Sequence, residues 1–317
     1  MISRTLSMLS SSRPLYLARS CLFTPGTKEA VLRKGQKIPA DVLIFDLEDA
    51  VSPLSKEIAR ANIVKVMNEG GFGGKTLSVR VNALDSRWGE DDLAAIASLE
   101  NLDAVVIPKV ESPETLHQIA SLLNKHSARP QVTIWAQIET PRGVVEVERI
   151  AAGAPKRAAA LVLGTSDLTA DLRARHVPGR EPVLYALSRC VAAARAFGLQ
   201  VLDGVHLDLA DGAGFRAACE QGRRLGFDGK TLIHPKTVEI ANRVFGPSDE
   251  EIQTAKEIIK CFEEAIEKGD GIAVHNGKLI ENLHVTEARR TVEMSKEIMR
   301  VHQQQQHTPP PSERSKI

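Results

Sequence analysis

The stretch VLIFDLED, residues 42–49, is an apolar run that ends in carboxylates. Similar runs recur about every thirty residues, and the polar residues at their ends are Glu48, Arg80, Lys109, Glu139 and Asp167. Roughly thirty residues is the length of one strand, one helix and two loops. Polar side chains at the carboxyl ends of successive strands form the active-site rim of a TIM (β/α)8 barrel. The repeat therefore predicts an α/β fold of this type.

Eight apolar runs are predicted to be the barrel strands: 16–24, 42–46, 77–82, 104–109, 132–138, 159–164, 200–207 and 229–234. Helical patterns lie between them, one of them beginning at Ser112-Pro113, a combination typical of a helix start. We place the barrel at 15–246. A C-terminal extension at 247–303 is predicted to form a helix, a hairpin with a turn at Asn276-Gly277 and a second helix. Residues 304–317 are rich in Gln and Pro, which predicts disorder.

Composition excludes several classes of protein. The chain has 317 residues, a net charge of +1 and 26% charged residues, so nothing suggests a nucleic-acid partner. No apolar run reaches the roughly 18 residues of a membrane span. The cysteines form no CxxC pair and are expected to be reduced thiols; they are Cys21, Cys190, Cys219 and Cys261.

The two ends of the chain carry competing targeting signals. Residues 1–14 contain arginine and serine but no acidic residue, which is typical of a mitochondrial transit peptide, although a short disordered tail is the alternative. The last three residues, Ser315-Lys316-Ile317, are similar to a peroxisomal signal. We expect a mitochondrial location, with peroxisomes as the alternative.

Glu139 and Asp167 are the candidate metal ligands. Both follow apolar strands, so their carboxylates are expected to meet at the barrel mouth. Magnesium commonly takes one or two carboxylates together with water and substrate oxygens. The alternative is that both acids only accept hydrogen bonds at strand-to-helix turns.

Arg80 is the candidate substrate-binding cation. It lies between Val79 and Val81 in a predicted strand, so it points into the mouth or is buried at a cost. Its planar group suits a carboxylate or an enolate oxygen. The alternative is an ion pair with Asp46, Glu48 or Glu139. If the strand extends as far as Glu48, Asp46 and Glu48 fall on one face, where they can orient Arg80 or hold metal-bound waters.

Two further features of the rim have open interpretations. Lys109 is a counter-charge or a Schiff-base lysine, and the counter-charge is favoured because a lysine among carboxylates keeps its proton. The stretch Gly164-Thr165-Ser166 offers backbone amides at a helix start, which can hold a substrate carboxylate, although a simple tight turn is the alternative.

Seven short motifs occur together and in order. They are RSCLFTPG (19–26), DLEDA (46–50), RVN (80–82), PK (108–109), ETP (139–141), GTSD (164–167) and IHP (233–235). As a set, they resemble the citrate lyase beta-subunit-like proteins of the HpcH/HpaI aldolase superfamily over about residues 19–300. The resemblance implies a magnesium-binding TIM barrel that cleaves or forms a carbon–carbon bond next to a coenzyme A thioester.

Site roles also follow from the resemblance. It implies that Glu139 and Asp167 bind Mg2+, that Arg80 contacts the substrate, and that Glu48 and Asp49 support them. It implies a homotrimer or hexamer in which the tail of one subunit covers the site of another. The family carries an aspartate in that tail, where this chain has Glu281 in GKLIEN (277–282), which makes Glu281 the candidate proton-transfer group.

The expected activity is Mg2+-dependent cleavage of a malyl-, β-methylmalyl- or citramalyl-CoA-type substrate, an acyl-CoA with a second carboxylate. The products would be acetyl- or propionyl-CoA and glyoxylate or pyruvate. Malyl-CoA thioester hydrolysis and the citryl-cleaving role of a citrate lyase beta subunit are the alternatives. A barrel without catalysis, acting as an assembly subunit, is disfavoured because Arg80, Glu139 and Asp167 are all present.

Overall fold

The structure is a computed structural model that describes residues 16–306. The predicted transit peptide at 1–14 and the tripeptide Ser315-Lys316-Ile317 lie outside this range. Both targeting assignments therefore stay predictions.

Eight parallel strands form a closed barrel in the order of the chain, which confirms the predicted fold. The strands are β1 Ser20–Pro25, β2 Val42–Asp46, β3 Thr76–Arg80, β4 Ala104–Ile107, β5 Thr133–Ile138, β6 Ala158–Leu163, β7 Gln200–Asp203 and β8 Gly229–Leu232. Each predicted strand lies within a few residues of an observed one. The largest differences are at β1 and β7, where the predicted runs are longer than the paired segments.

Helices cover the outside of the barrel. They are α1 Glu29–Lys34, α2 Lys56–Glu69, α3 Gly89–Ile96, α4 Pro113–Lys125, α5 Pro141–Ala152, α6 Thr165–Asp171, α7 Leu184–Ala196, α8 Gly212–Leu225 and α9 Val238–Phe245. Helix α4 begins as predicted, because the Ser112 side chain accepts a hydrogen bond from the Thr115 amide and Pro113 occupies the first turn.

Strand alternation separates two apolar cores. One set of side chains fills the barrel interior and includes Val42, Ile44, Val106 and Trp135. The larger set lies between the strands and the helices and includes Leu43, Phe45 and Val79. Since side chains alternate along a strand, Asp46 shares the inward face of Val42 and Ile44. Asp46 is paired in register with Arg80 on the neighbouring strand, so the two side chains meet at the barrel mouth.

The C-terminal extension has the predicted helix–hairpin–helix order. Helix α10 is Asp249–Glu267, the hairpin pairs β9 Ala273–His275 with β10 Lys278–Ile280, and helix α11 is Asn282–Gln306. Asn276 and Gly277 have φ values of 49° and 74°, which a type I′ turn requires. Helix α11 extends three residues into the segment for which the composition predicts disorder. None of the helices in the described part of the chain is apolar over enough length to cross a membrane.

Candidate active site

Arg80 is held by a bidentate ion pair at the end of β3. Its Nε and Nη2 atoms donate to the two carboxylate oxygens of Asp46 at 2.7 and 2.6 Å. Its guanidinium also lies 4.7 Å above the ring of Phe23. Burial opposes the charge of Arg80, but the hydrogen bonds and charge of Asp46 outweigh it and raise the pKa of Arg80. The arginine is therefore a fixed cation. Of the ion-pair partners that the sequence offers for it, Asp46 forms the bidentate contact.

Glu48 and Asp49 meet the remaining nitrogen of this arginine. The Nη1 atom of Arg80 lies 2.9 Å from Glu48 Oε2 and 3.5 Å from Asp49 Oδ2. Strand β2 ends at Asp46, so Glu48 reaches Arg80 from a loop. The Asp46 carboxylate shapes that loop, because it accepts hydrogen bonds from the amides of Glu48 and Ala50. Glu48 is 7% exposed, whereas the Asp49 side chain is half exposed at the mouth.

Lys109 is a counter-charge, as the sequence favours. Its Nζ atom lies 2.7 Å from Glu48 Oε1. Burial opposes the charge, but the hydrogen bond to Glu48 raises the pKa of Lys109, so its amine stays protonated. Lys109 also has a left-handed backbone with φ of 51°. In this conformation its amide donates to Glu139 Oε1 at 2.8 Å.

Glu139 is a buried carboxylate at the base of the mouth, just beyond the end of β5. It is 0% exposed, and its second oxygen accepts a hydrogen bond from the Gln137 side chain. Burial raises the pKa of Glu139 to about 8; the Lys109 amide opposes this effect, and the charges of Glu48 and Asp167 add to it. An ionised Glu139 therefore needs a further positive partner.

Asp167 and the Gly164-Thr165-Ser166 stretch follow β6, as predicted. Helix α6 begins at Thr165, so Asp167 lies in its first turn. Gly164 is packed so closely against Glu139 that any Cβ at this position would overlap the Glu139 carboxylate. The Ser166 hydroxyl is buried and has no hydrogen-bond partner among the described residues. The amides at the start of α6 have no acceptor within the helix, so their predicted role in binding a carboxylate stays open.

The donor set of Glu139 and Asp167 fits a hard divalent cation. Two carboxylates on neighbouring strands are what magnesium takes from a protein when water and substrate supply the other ligands. Residues 16–306 contain no group of three or more His, Cys, Asp or Glu side chains arranged around one metal position. A cation here would thus be bound by two carboxylates, and it would stabilise the ionised form of Glu139. Glu139 and Asp167 are the residues that would hold it.

Glu281 is not brought to this site within one chain. It lies at the exposed turn between β10 and α11, where its amide donates to His284 Nδ1. Helix α11 then runs to the opposite end of the barrel, where Arg290 pairs with Asp228 just before β8. The predicted proton-transfer role of Glu281 therefore requires a second subunit and stays a prediction.

Two supporting residues were not predicted from the sequence. Gln137 precedes Glu139 by two positions, so strand alternation places both side chains on one face, and this signal was present in the sequence. Lys56 donates hydrogen bonds of 2.7 Å to the carbonyls of Leu47 and Glu48. Nothing in the local sequence shows that its amine turns back beneath this loop.

The fold and site together define a TIM-barrel protein with a carboxylate-lined mouth. Residues 19–235 match the HpcH/HpaI aldolase/citrate lyase family, and the chain belongs to that family. Its members among the curated proteins are enzymes that act on CoA esters or citrate, which agrees with the resemblance seen in the motifs.

Two curated relatives cover nearly the whole chain. A (3S)-malyl-CoA thioesterase of Cereibacter sphaeroides (strain ATCC 17025 / ATH 2.4.3) is 45% identical over 274 residues, which is 86% of this chain and 93% of the relative. An L-malyl-CoA/beta-methylmalyl-CoA lyase of Rhodobacter capsulatus is 34% identical over 309 residues, 89% of this chain and 97% of the relative.

Several similar solved structures contain magnesium, and one of them covers most of this chain. It is the CitE protein of Mycobacterium tuberculosis in complex with magnesium, acetoacetate and coenzyme A. Its TM-score is 0.71 at 26% identity, with coverage of 88% of this chain and 98% of that one. Magnesium binding in this family is consistent with the carboxylate pair described above.

Proposed function

We propose that this protein is a magnesium-dependent carbon–carbon lyase for a 3-hydroxyacyl-CoA that carries a second carboxylate. Malyl-, β-methylmalyl- and citramalyl-CoA are the members of this substrate class. The observation that carries the proposal is the combination of a fixed guanidinium and a buried carboxylate at one barrel mouth. Arg80 supplies the guanidinium, and Glu139, which lies close to Asp167, supplies the buried carboxylate.

The chemistry of cleavage matches these groups. The bond between the α-carbon of the thioester and the carbinol carbon breaks, and its electron pair stays on the thioester side as an enolate. The hydroxyl gives up its proton, so the other product is an α-keto acid, and protonation of the enolate yields the acyl-CoA. A bound Mg2+ would polarise the hydroxyl and carboxylate oxygens of the keto-acid half.

Arg80 is assigned to the enolate. Its Nε and Nη2 atoms are occupied by Asp46, so the guanidinium cannot rotate away. Its Nη1 edge faces Glu48 and the half-exposed Asp49, and this is the edge that a substrate entering the mouth would meet. A cation that is fixed before the reaction stabilises developing negative charge without reorganisation.

Thioester hydrolysis is a second candidate, because the relative at 45% identity is a (3S)-malyl-CoA thioesterase. The same mouth would then bind malyl-CoA, and the products would be malate and free CoA. The two reactions differ in what they release: cleavage forms a keto acid and no free thiol, and hydrolysis forms a free thiol.

The experiment is a panel of malyl-, β-methylmalyl-, citramalyl- and citryl-CoA, each incubated with Mg2+ or with a chelator. Keto acid and free thiol are measured in the same samples. We expect Mg2+-dependent release of keto acid from at least one malyl-type substrate. Release of free thiol without keto acid would instead identify the protein as a thioesterase. Glu139→Ala should abolish turnover, whereas Glu148→Ala, which changes an exposed glutamate on α5, should not. Near wild-type rates in Glu139→Ala would refute the site.

We further propose that Glu281 completes the site from another subunit of a homotrimer or hexamer. The support is its exposed position in the tail hairpin, beside the exposed apolar residues Leu279 and Leu283. A carboxylate delivered there would exchange the proton of the substrate hydroxyl or of the enolate carbon.

A further inference from the structure

Lys56 occupies an unusual position for a lysine. It is the first residue of α2 and is 6% exposed, while the nearby apolar residues Leu54 and Ile58 are 94% and 60% exposed. This is the reverse of the usual distribution, in which lysine is almost never fully buried without a partner. A cation in the first turn also faces the positive end of the helix dipole. Two local preferences are thus violated at one residue, which is typical of functional positions.

The Lys56 amine makes three hydrogen bonds to neutral groups. Its Nζ atom lies 2.7 Å from the carbonyl oxygens of Leu47 and Glu48 and from Asn82 Oδ1. Among the described residues, no carboxylate lies within 4.0 Å of Nζ. The ring of Trp88 adds a cation–π contact at 5.3 Å. The lysine therefore holds the backbone of Leu47 and Glu48 in place through hydrogen bonds, and it does not act as the partner of a single carboxylate.

Asn82 connects this contact to a rigid support. Its side chain donates to the Leu47 carbonyl at 3.0 Å and to Asp92 Oδ2 at 2.6 Å. Asp92 is 0% exposed and also accepts from Arg60 Nε at 2.8 Å. Helices α2 and α3 and the end of β3 are thereby joined beneath the loop that carries Glu48 and Asp49.

The charge of Lys56 also serves the acidic mouth. Burial lowers the pKa of Lys56, and the carboxylates of Glu48, Asp46, Asp92 and Asp49 oppose that shift through their charge. A neutral side chain of equal length would fill the space but would supply neither the hydrogen bonds nor the charge.

We propose that Lys56 is a positioning residue, which fixes the Leu47–Glu48 backbone so that Glu48 meets both Arg80 and Lys109 at the barrel mouth. Its effect on turnover rests on the proposed function, but its effect on the loop does not. Lys56 contacts neither the candidate metal ligands nor the solvent-facing part of the mouth.

The test is Lys56→Met, with Lys65→Met as the matched control. Lys65 lies on the same helix, but its side chain is 58% exposed and pairs with Glu29. We expect Lys56→Met to lower kcat by about 10- to 100-fold, as loss of supporting contacts around a metal site does. KM and Mn2+ affinity should stay within about threefold of wild type, because the binding groups themselves remain. Lys65→Met should match wild type.

A double-mutant cycle separates positioning from general destabilisation. If Lys56 acts through Glu48, then Lys56→Met should cost less than about threefold in kcat when Glu48 is already alanine. Additive losses, or a kcat for Lys56→Met within about threefold of wild type, would overturn the proposal. Lys56→Gln is measured in the same way if the methionine variant does not fold.

Hydrogen exchange provides a readout that does not depend on activity. Lys56→Met should speed exchange of the amides at residues 47–50 by about tenfold or more, with the barrel strands unchanged. Unchanged exchange in this loop would overturn the positioning role. If the wild type turns over no thioester of the panel, the proposed function fails, and the exchange result alone decides the role of Lys56.

Discussion

Replacing Gly164 by alanine should disable the candidate metal site through a single methyl group. The added Cβ would overlap Oε2 and Cβ of Glu139 and would lie 3.1 Å from Gln137 Nε2. The φ value of Gly164 is −98°, so alanine suits the backbone and the effect is purely steric. Rotation of the Glu139 side chain cannot relieve the overlap with its Cβ, so the Glu139 backbone must shift together with its carboxylate.

The size of the effect follows from what holds Glu139. Its carboxylate accepts hydrogen bonds from the Lys109 amide at 2.8 Å and from the Gln137 side chain. Hydrogen bonds to a charged group contribute about 1.5–3 kcal/mol each, so displacement costs at least about 3 kcal/mol if both are lost. If that cost falls on the metal-bound form, metal affinity drops by roughly 100-fold.

The assay is Mn2+ binding followed by electron paramagnetic resonance, with Mg2+ as competitor. Gly212→Ala is the control, because a Cβ at Gly212 would meet no described atom within 4 Å. We expect the control to bind Mn2+ like wild type and Gly164→Ala to bind it far more weakly, although both remain folded. Binding by Gly164→Ala within about threefold of wild type would refute the placement of the metal at Glu139.

Three further predictions concern other parts of the molecule. Lys230→Met should destabilise the fold by about 3–5 kcal/mol in urea unfolding, because the fully buried Asp203 would lose one of its two cationic partners and keep only Arg180. A loss below about 1 kcal/mol would contradict this prediction. Burial lowers the pKa of Lys75 to about 8, so between about pH 8 and pH 10 the unfolded state binds more protons than the folded state. The free energy of unfolding of the wild type should therefore rise by up to about 3 kcal/mol relative to that of Lys75→Met over this range. A difference that does not change with pH would refute this prediction. Co-assembly of inactive Glu139→Ala and Glu281→Ala chains should restore about a quarter of wild-type activity if each site takes its tail from another subunit, and no recovery would argue against that arrangement.

The barrel was predictable because its signal is repetitive. Buried parallel strands are short apolar runs, and eight of them with helices between leave few alternatives to a closed barrel. Alternation then explains why Arg80 and Asp46 meet, since both occupy inward positions at the ends of neighbouring strands. These features depend only on local pattern, which one sequence contains in full.

The contacts that arrange the site depend on features that the pattern does not contain. The sequence suggests a role only for the side chain of Lys109. In the structure its backbone is left-handed, and this conformation lets its amide donate a hydrogen bond to Glu139. Lys56 reads as an ordinary surface residue of an amphipathic helix, and only the packing of α2 against the loop after β2 buries it. Both cases require the path of a loop, which is set by tertiary packing and not by periodicity.

Charge balance connects these contacts to the chemistry. The mouth and its support contain five carboxylates, those of Asp46, Glu48, Asp49, Glu139 and Asp167, and three cations, those of Arg80, Lys109 and Lys56. Ionised together, they leave an excess of two negative charges, which is the charge that one Mg2+ neutralises. The three cations contact Asp46, Glu48, Asp49 and the backbone of the loop after β2, so the excess falls on Glu139 and Asp167. Among the described residues, the two candidate metal ligands are therefore acids that form no ion pair with a lysine or arginine side chain, and a bound Mg2+ would supply the missing positive charge.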